Sequence, residues 1–299
     1  AAALLVRSRG VLMLAPIHRR VRLGPQAGFS LVELMISMVI GMVVVGAVLA
    51  AYLGAGATTR TSRAMSQITE DASVALSVLR SGIGMAGYST PIGVAPDKTF
   101  LRAYNGPGLF GCNTNFEDVG ADLIADLSCA VGSGPNAIAV AFEADAGNSV
   151  VNALNVPLDC LGNAIVANAN PTYLAYNRYY VSDNKLMCMG PVNDTPDALV
   201  DNVVDLKIRY GVPPSPKADH VAFYGDADDV GALPTDPNWA MVKAVRVCVV
   251  VASVENVMDA DGITYRDCDS AEVTPADGDR RMFRAFTTTV VLPNRLENQ

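Results

Sequence analysis

Histidine is almost missing: His18 and His220 are the only two in 299 residues. A Ser-His-Asp or Cys-His arrangement then has one candidate base beyond the N-terminal region, and no elbow-type motif accompanies it. No glycine-rich phosphate loop and no dinucleotide fingerprint occur. The six cysteines contain no C-x-x-C pair, which leaves a zinc site short of ligands. The sequence therefore implies no catalytic residue, no metal and no cofactor. Two acid clusters, Asp226, Asp228, Asp229 and Asp259, Asp261, Asp267, Asp269, have oxygen ligands to offer calcium. Neither fits the spacing of an EF-hand loop, and both read as solvated turn residues.

Charge is scarce as well, at 17% of residues, and its gaps carry information. No charged residue stands between Leu34 and Thr59, and Leu34 to Leu53 reads LMISMVIGMVVVGAVLAAYL. That matches the roughly 20 residues a helix needs to cross a ~30 Å hydrocarbon core. Acids are absent from residues 1–28, which hold Arg7, Arg9, Arg19, Arg20 and Arg22. By the positive-inside rule the N-terminus is expected in the cytoplasm, with the rest of the chain on the far side, which is the oxidising periplasm if the membrane is the inner one of a double-membraned bacterium. Disulfides form there. Losing residues 1–28 removes five arginines and no acid, moving the formal charge from −8 to −13. So acidic a body repels phosphate backbones, and no nucleic-acid partner is expected.

An ordinary secretory signal has its small-residue cleavage site after the apolar run. Here Gly28 stands before it, in PQAGFSLVELM. Cleavage after Gly28 would leave the helix on the mature chain, beginning at Phe29, with Glu33 one helical turn inside. A residue without a side chain lets a peptidase reach the backbone. Glu33 at the edge of a membrane helix is costly unless neutralised or paired. The new α-amino group of Phe29, four positions away or on a neighbouring subunit, is a suitable partner.

Helical spacing continues past Leu53 through Met65, Ile68, Ala72, Leu76, Leu79 and Ile83, with Arg63, Gln67, Glu70 and Arg80 interleaved. One helix is predicted from Phe29 to about Gly82, apolar all round in its first half and one-faced in its second. Glycines at 41, 46, 54 and 56 lower its propensity and leave bending or local melting open. From Ser89 to Pro196 periodic signals are weak, and the expectation is loops with short strands at 136–142 and a hairpin over 176–189 turning at Ser182–Asn184. Val204, Leu206, Ile208 and Tyr210 alternate with Asp205, Lys207 and Arg209, as in a half-buried strand. Met241 to Val254 is Val-rich on both parities, as in a central strand, and Arg281 to Leu292 is a third. Among the many connectivities six cysteines permit, nearest-neighbour pairing (Cys112 with Cys129, Cys160 with Cys188, Cys248 with Cys268) closes three local loops.

The string Gly28, Phe29, Ser30, Leu31, Val32, Glu33 resembles the type III signal of type IV prepilins and pseudopilins. RSGIGMAGY, at Arg80 to Tyr88, is similar to the stretch that closes the long helix in PilW-type minor pilins. The order and spacing of the strands from Leu199 to Asn294 resemble the C-terminal half of that family. The resemblance implies an α+β, pilin-like fold with the long helix packed on an antiparallel sheet. It divides the chain into a leader (1–28, removed), a membrane and filament-core helix (29–57), its amphipathic continuation (58–88) and a periplasmic β-rich domain (89–299). It implies cleavage at Gly28 and Phe29 by the prepilin peptidase, N-methylation of Phe29, and a registration role for Glu33. Other minor pilins, the major pilin and the inner-membrane assembly platform are the implied partners. The implied function is non-enzymatic: priming and assembling type IV pili near the tip, supporting adhesion and twitching motility. A type II secretion pseudopilin shares the leader, and an anchored periplasmic enzyme or ligand-binding domain would instead need a polar pocket around His220 or the acid clusters.

Overall fold

The structure is a computed structural model that describes residues 28–98, 100–168, 172–193, 195–215, 218, 220–258 and 261–295. The leader upstream of Gly28, His18 and Asp259 lie outside the described residues. The chain forms two compact units, Ala1–Ala55 and Gly56–Gln299. Helix α1, Leu31–Gly84, contributes to both and is continuous through Gly41, Gly46, Gly54 and Gly56.

In the first unit, every described residue from Gly28 to Ala55 is exposed. Val, Leu, Ile and Met fill the stretch and no polar face interrupts it, so no side of the helix is better suited to water than another.

The second unit begins with the rest of α1, whose buried stripe is Ala64, Ile68, Ala72, Ala75, Leu79 and Ile83. Met65 and Leu76, expected on that stripe, are half-buried at its margin. The buried stripe is centred on the small residues Ala64, Ala72 and Ala75 together with Ile68, Leu79 and Ile83, which leaves Met65 and Leu76 to one side. After α1 come strands β1 (Pro91–Val94), β2 (Phe100–Arg102), β3 (Leu109–Cys112), β4 (Ala137–Ala144), β5 (Tyr173–Ser182), β6 (Lys185–Met189), β7 (Asp197–Asp201), β8 (Val203–Val212) and β9 (Phe223–Gly225). Two single-turn helices follow, α2 (Ala227–Val230) and α3 (Asn238–Met241), then β10 (Ala244–Asn256), β11 (Tyr265–Arg266), β12 (Glu272–Val273) and β13 (Arg281–Val291).

The strands form two antiparallel sheets, ordered β3-β4-β5-β6-β7 and β13-β10-β8-β9, plus the hairpins β1-β2 and β11-β12. The architecture is α+β, a long helix packed on antiparallel sheet, with Ile68, Leu79 and Ile83 in one hydrophobic cluster with Val245, Val247 and Val249 of β10 and Leu206 and Ile208 of β8. β10 is central, paired on both sides, which explains valine at both parities.

The middle of the chain corrects the sequence reading. Residues 89–196 are not loops decorating a single sheet; they supply four strands of a second one. β4 is buried at all eight positions, so it lacks the alternation that marks a half-buried strand, and its alanines and Glu143 weaken the β signal. The 176–189 hairpin forms as β5 and β6, turning through Asp183 and Asn184 at φ 50° and 58°, the left-handed pair a two-residue hairpin requires. A second correction is Val204. The register steps from Asp205↔Val250 to Val203↔Val251, so Val204 is the extra residue of a bulge and Val203 is buried instead.

Asn136 and Asn202 bind the layers together. Buried Asn136 donates its backbone N–H to Leu206 O (2.7 Å), and its side-chain oxygen accepts from Ile208 N (2.7 Å), fastening the start of β4 to the free side of β8. Asn202, at φ 64° between β7 and β8, donates to Asp71 of α1 at 3.1 Å. Bridges join Cys112 to Cys129, Cys160 to Cys188 and Cys248 to Cys268, with Cα–Cα distances of 5.4, 6.5 and 5.8 Å.

Candidate functional site

The site suggested by the sequence is the junction at the head of α1. Ser30 opens the helix: its hydroxyl accepts the N–H of Val32 (3.3 Å) and its carbonyl that of Leu34 (3.1 Å). Glu33 then falls three residues past this cap, in the first turn, where the helix dipole favours a carboxylate. This S-x-x-E spacing is a helix-start signature that the membrane argument for Glu33 passed over. Glu33 accordingly has a local role before any partner is considered. Ser37 returns its hydroxyl proton to the Glu33 carbonyl at 2.6 Å.

Upstream, Gly28 has nothing within 4 Å of where a Cβ would stand, and the Phe29 side chain is 82% exposed. Gly28 and Phe29 therefore lie on open chain just ahead of α1, whose first turn carries Glu33 and whose next stretch, Leu34 to Thr59, has no charge. Among the described residues α1 is the one helix long and apolar enough to cross a membrane.

At the other end of α1 the RSGIGMAGY string has a structural role. Gly82 lies against Tyr179, and Gly87, at φ 73°, turns the chain. Gly87 N–H then bonds to Ala141 O (2.9 Å) and Glu143 N–H to Tyr88 O (2.8 Å), seating the turn on β4. The buried Glu143 carboxylate accepts from Ser89 Oγ (3.0 Å) and Thr90 N (2.7 Å). Sequence reasoning missed Glu143 because a lone acid in an alanine-rich strand carries no local signal of its partners.

Residues 174–294, from β5 through β13, match the family described as type IV pilus-assembly protein W, and residues 24–49 match the prokaryotic N-terminal methylation motif. The chain carries a pilus-assembly protein W domain behind a type IV prepilin signal. The W-domain match starts earlier than Leu199, where the resemblance in the sequence begins, and takes in the hairpin of the first sheet. RSGIGMAGY lies between the two matched segments. No curated protein matches the chain. Among solved structures, a type IV-like pilin from Thermus thermophilus is similar at 11% identity and a TM-score of 0.41, over 77% of this chain and 99% of that one.

The other candidate residues of this W-domain chain are not gathered into a site. His220 is exposed. Asp226 takes a salt bridge from Arg209 at 3.0 Å, and Asp229 accepts the Asp226 N–H at 2.9 Å at the head of α2. Asp267 accepts the N–H groups of Asp269 and Ala271, while Asp269 pairs with Arg209 (2.8 Å) and Lys207 (3.7 Å). The hydrogen bond from Arg209 holds the Asp269 carboxyl below its ordinary range. Burial pushes that of Asp205 up. Among the described residues no group of three or more His, Cys, Asp or Glu is placed to hold a metal.

Proposed function

We propose that this chain is a minor pilin made as a precursor. The prepilin peptidase removes residues 1–28, Phe29 becomes the N-methylated first residue, and residues 29–57 span the inner membrane with the N-terminus cytoplasmic and residues 89–299 in the periplasm. The subunit then enters a type IV pilus through the inner-membrane assembly platform, with other minor pilins and the major pilin as neighbours. Its work is priming and assembly near the tip, supporting adhesion and twitching motility.

The observation that carries this reading is the single helix α1. Past Glu33 it is uncharged to Thr59 and exposed at every described position to Ala55, then one-faced where it enters the β core. Such a helix suits two environments in turn, lipid before assembly and a bundle of like helices after it. In the bundle, Glu33 needs a cation, and the Phe29 amine of an adjoining subunit supplies one, which fixes axial register.

The test replaces Glu33 with Gln in the native host. The expected result is an unchanged amount of protein in membranes, at least about a tenfold drop in the sheared filament fraction, and smaller twitching zones, as befits loss of a buried ion pair. Unchanged incorporation and motility would sink the reading.

A further inference from the structure

Leu34 to Thr59 is an uncharged run of 26 residues, and the first charges after it are Arg60 and Arg63. As helix that run is about 39 Å long, close to the ~40–45 Å of a bilayer counted with its headgroups. On the membrane-spanning reading proposed above, on which this inference rests, Glu33 and Arg60 then mark the two headgroup layers. Basic residues on the far side of a membrane run against the positive-inside bias, so orienting the chain does not account for them.

Both arginines are exposed and stand three apart on one face of α1, where like charges repel unless an anion sits between them. With Gln67 they form one wall of a cleft of about 320 Å³; Val254, Glu255 and Val257, at the end of β10 and just past it, form the other. Glu255 is exposed, and among the described residues it makes no ion pair with either arginine. The other charges at this end are engaged. Asp71 accepts from Gln67 (3.4 Å) and Asn202 (3.1 Å), while Arg280 and Arg281, where β13 begins, pair with Asp261 (3.6 Å) and Asp279 (2.8 Å). Two guanidiniums against one solvated carboxylate leave the cleft positive, on a body whose acids outnumber its bases.

We propose that Arg60 and Arg63 clamp the phosphate of an anionic phospholipid in the leaflet next to the β domain. A guanidinium offers a phosphate two parallel N–H donors, and at headgroup depth the phosphodiester is the anion within reach. Val254, an apolar side chain 60% exposed on the opposite wall, meets the glycerol and acyl part of the same lipid. The clamp fixes the depth of α1 and seats the β domain on the bilayer until the subunit leaves for the filament.

The test takes the full-length protein from its native host into detergent micelles that hold phosphatidylglycerol and diacylglycerol of matched chains in equal amounts, and reads retained lipid by native mass spectrometry. The expected ratio of phosphatidylglycerol to diacylglycerol adducts is about ten. Arg60→Gln with Arg63→Gln brings it close to one, whereas Arg80→Gln, the same change about 30 Å further along α1, leaves it as it was. Because both side chains are exposed, the double variant keeps the wild-type melting temperature. Equal retention of the two lipids by the wild type, a ratio indifferent to the double change, or displacement of the lipid by millimolar glycerol phosphate, which marks a site for soluble phosphate, would overturn the inference. A chain that stays in native membranes through alkaline carbonate washing yet shows no arginine-dependent preference defeats the inference alone; a chain washed out defeats the spanning reading and the inference with it.

Discussion

A side chain added at Gly28 meets nothing within 4 Å, so Gly28→Val leaves folding untouched. The account expects it to stop processing, seen as a band heavier by the leader on an immunoblot, because a branched side chain obstructs the extended approach of a peptidase. Gly82 is the opposite case. Its Cβ would run into the ring and hydroxyl of Tyr179, which is 2% exposed. Gly82→Ala therefore destabilises by about 1–2 kcal/mol in urea titrations, overpacking outweighing the ~1 kcal/mol that alanine returns to a helix. Both glycines stand out in the sequence, yet only the structure separates one with open space around it from one pressed against a tyrosine.

Among elements, the connection from β10 to β13 is fastened to the sheet by several side-chain contacts. It carries the β11-β12 hairpin over the sheet's outer face, held by Cys248–Cys268, by stacking of Tyr265 on Phe283 at 4.7 Å, and by Asp269 on Arg209 and Lys207. Replacing Cys248 and Cys268 together by alanine should cost about 2–4 kcal/mol and make residues 257–280 the first site of limited proteolysis. The ion pair gives this connection a pH dependence of known sign. Because the Asp269 pKa is lowered in the folded state, its contribution is present above the ordinary value of 3.8 and is lost as pH falls through the folded value. Asp205, raised by burial, acts in the reverse direction, its ionisation opposing folding at neutral pH. Thermal melts from pH 2 to 7 should show Asp269→Asn flattening the acid limb, with a loss of no more than about 1 kcal/mol at pH 7, since both partners are partly solvated.

In the whole molecule, legibility followed the strength of local periodicity. α1 was plain because a charge-free run and a 3.6-residue stripe are long-range patterns within one segment. β8, β10 and β13 were plain because valine-rich or alternating runs are dense there. In the first sheet β4 and the β5-β6 hairpin were visible as the strand at 136–142 and the hairpin over 176–189, but their union with β3 and β7 was not, because those strands are short and their evidence is partnership and not sequence. Asn136, Glu143 and the Asn202–Asp71 contact were illegible for the same reason, each spanning 53 residues or more to its partner. The junction at Gly28, Phe29 and Glu33 was legible throughout, because it is a contiguous string that lies within the segment matching the methylation motif.

That junction also permits the most direct test, intact-mass and N-terminal peptide analysis of the protein extracted from native membranes, with and without the prepilin peptidase. A mature chain that starts at N-methylated Phe29 only when the peptidase is present is the expected result. A chain that keeps residues before Gly28, or one cut beyond the apolar helix after Ala57, would contradict the account.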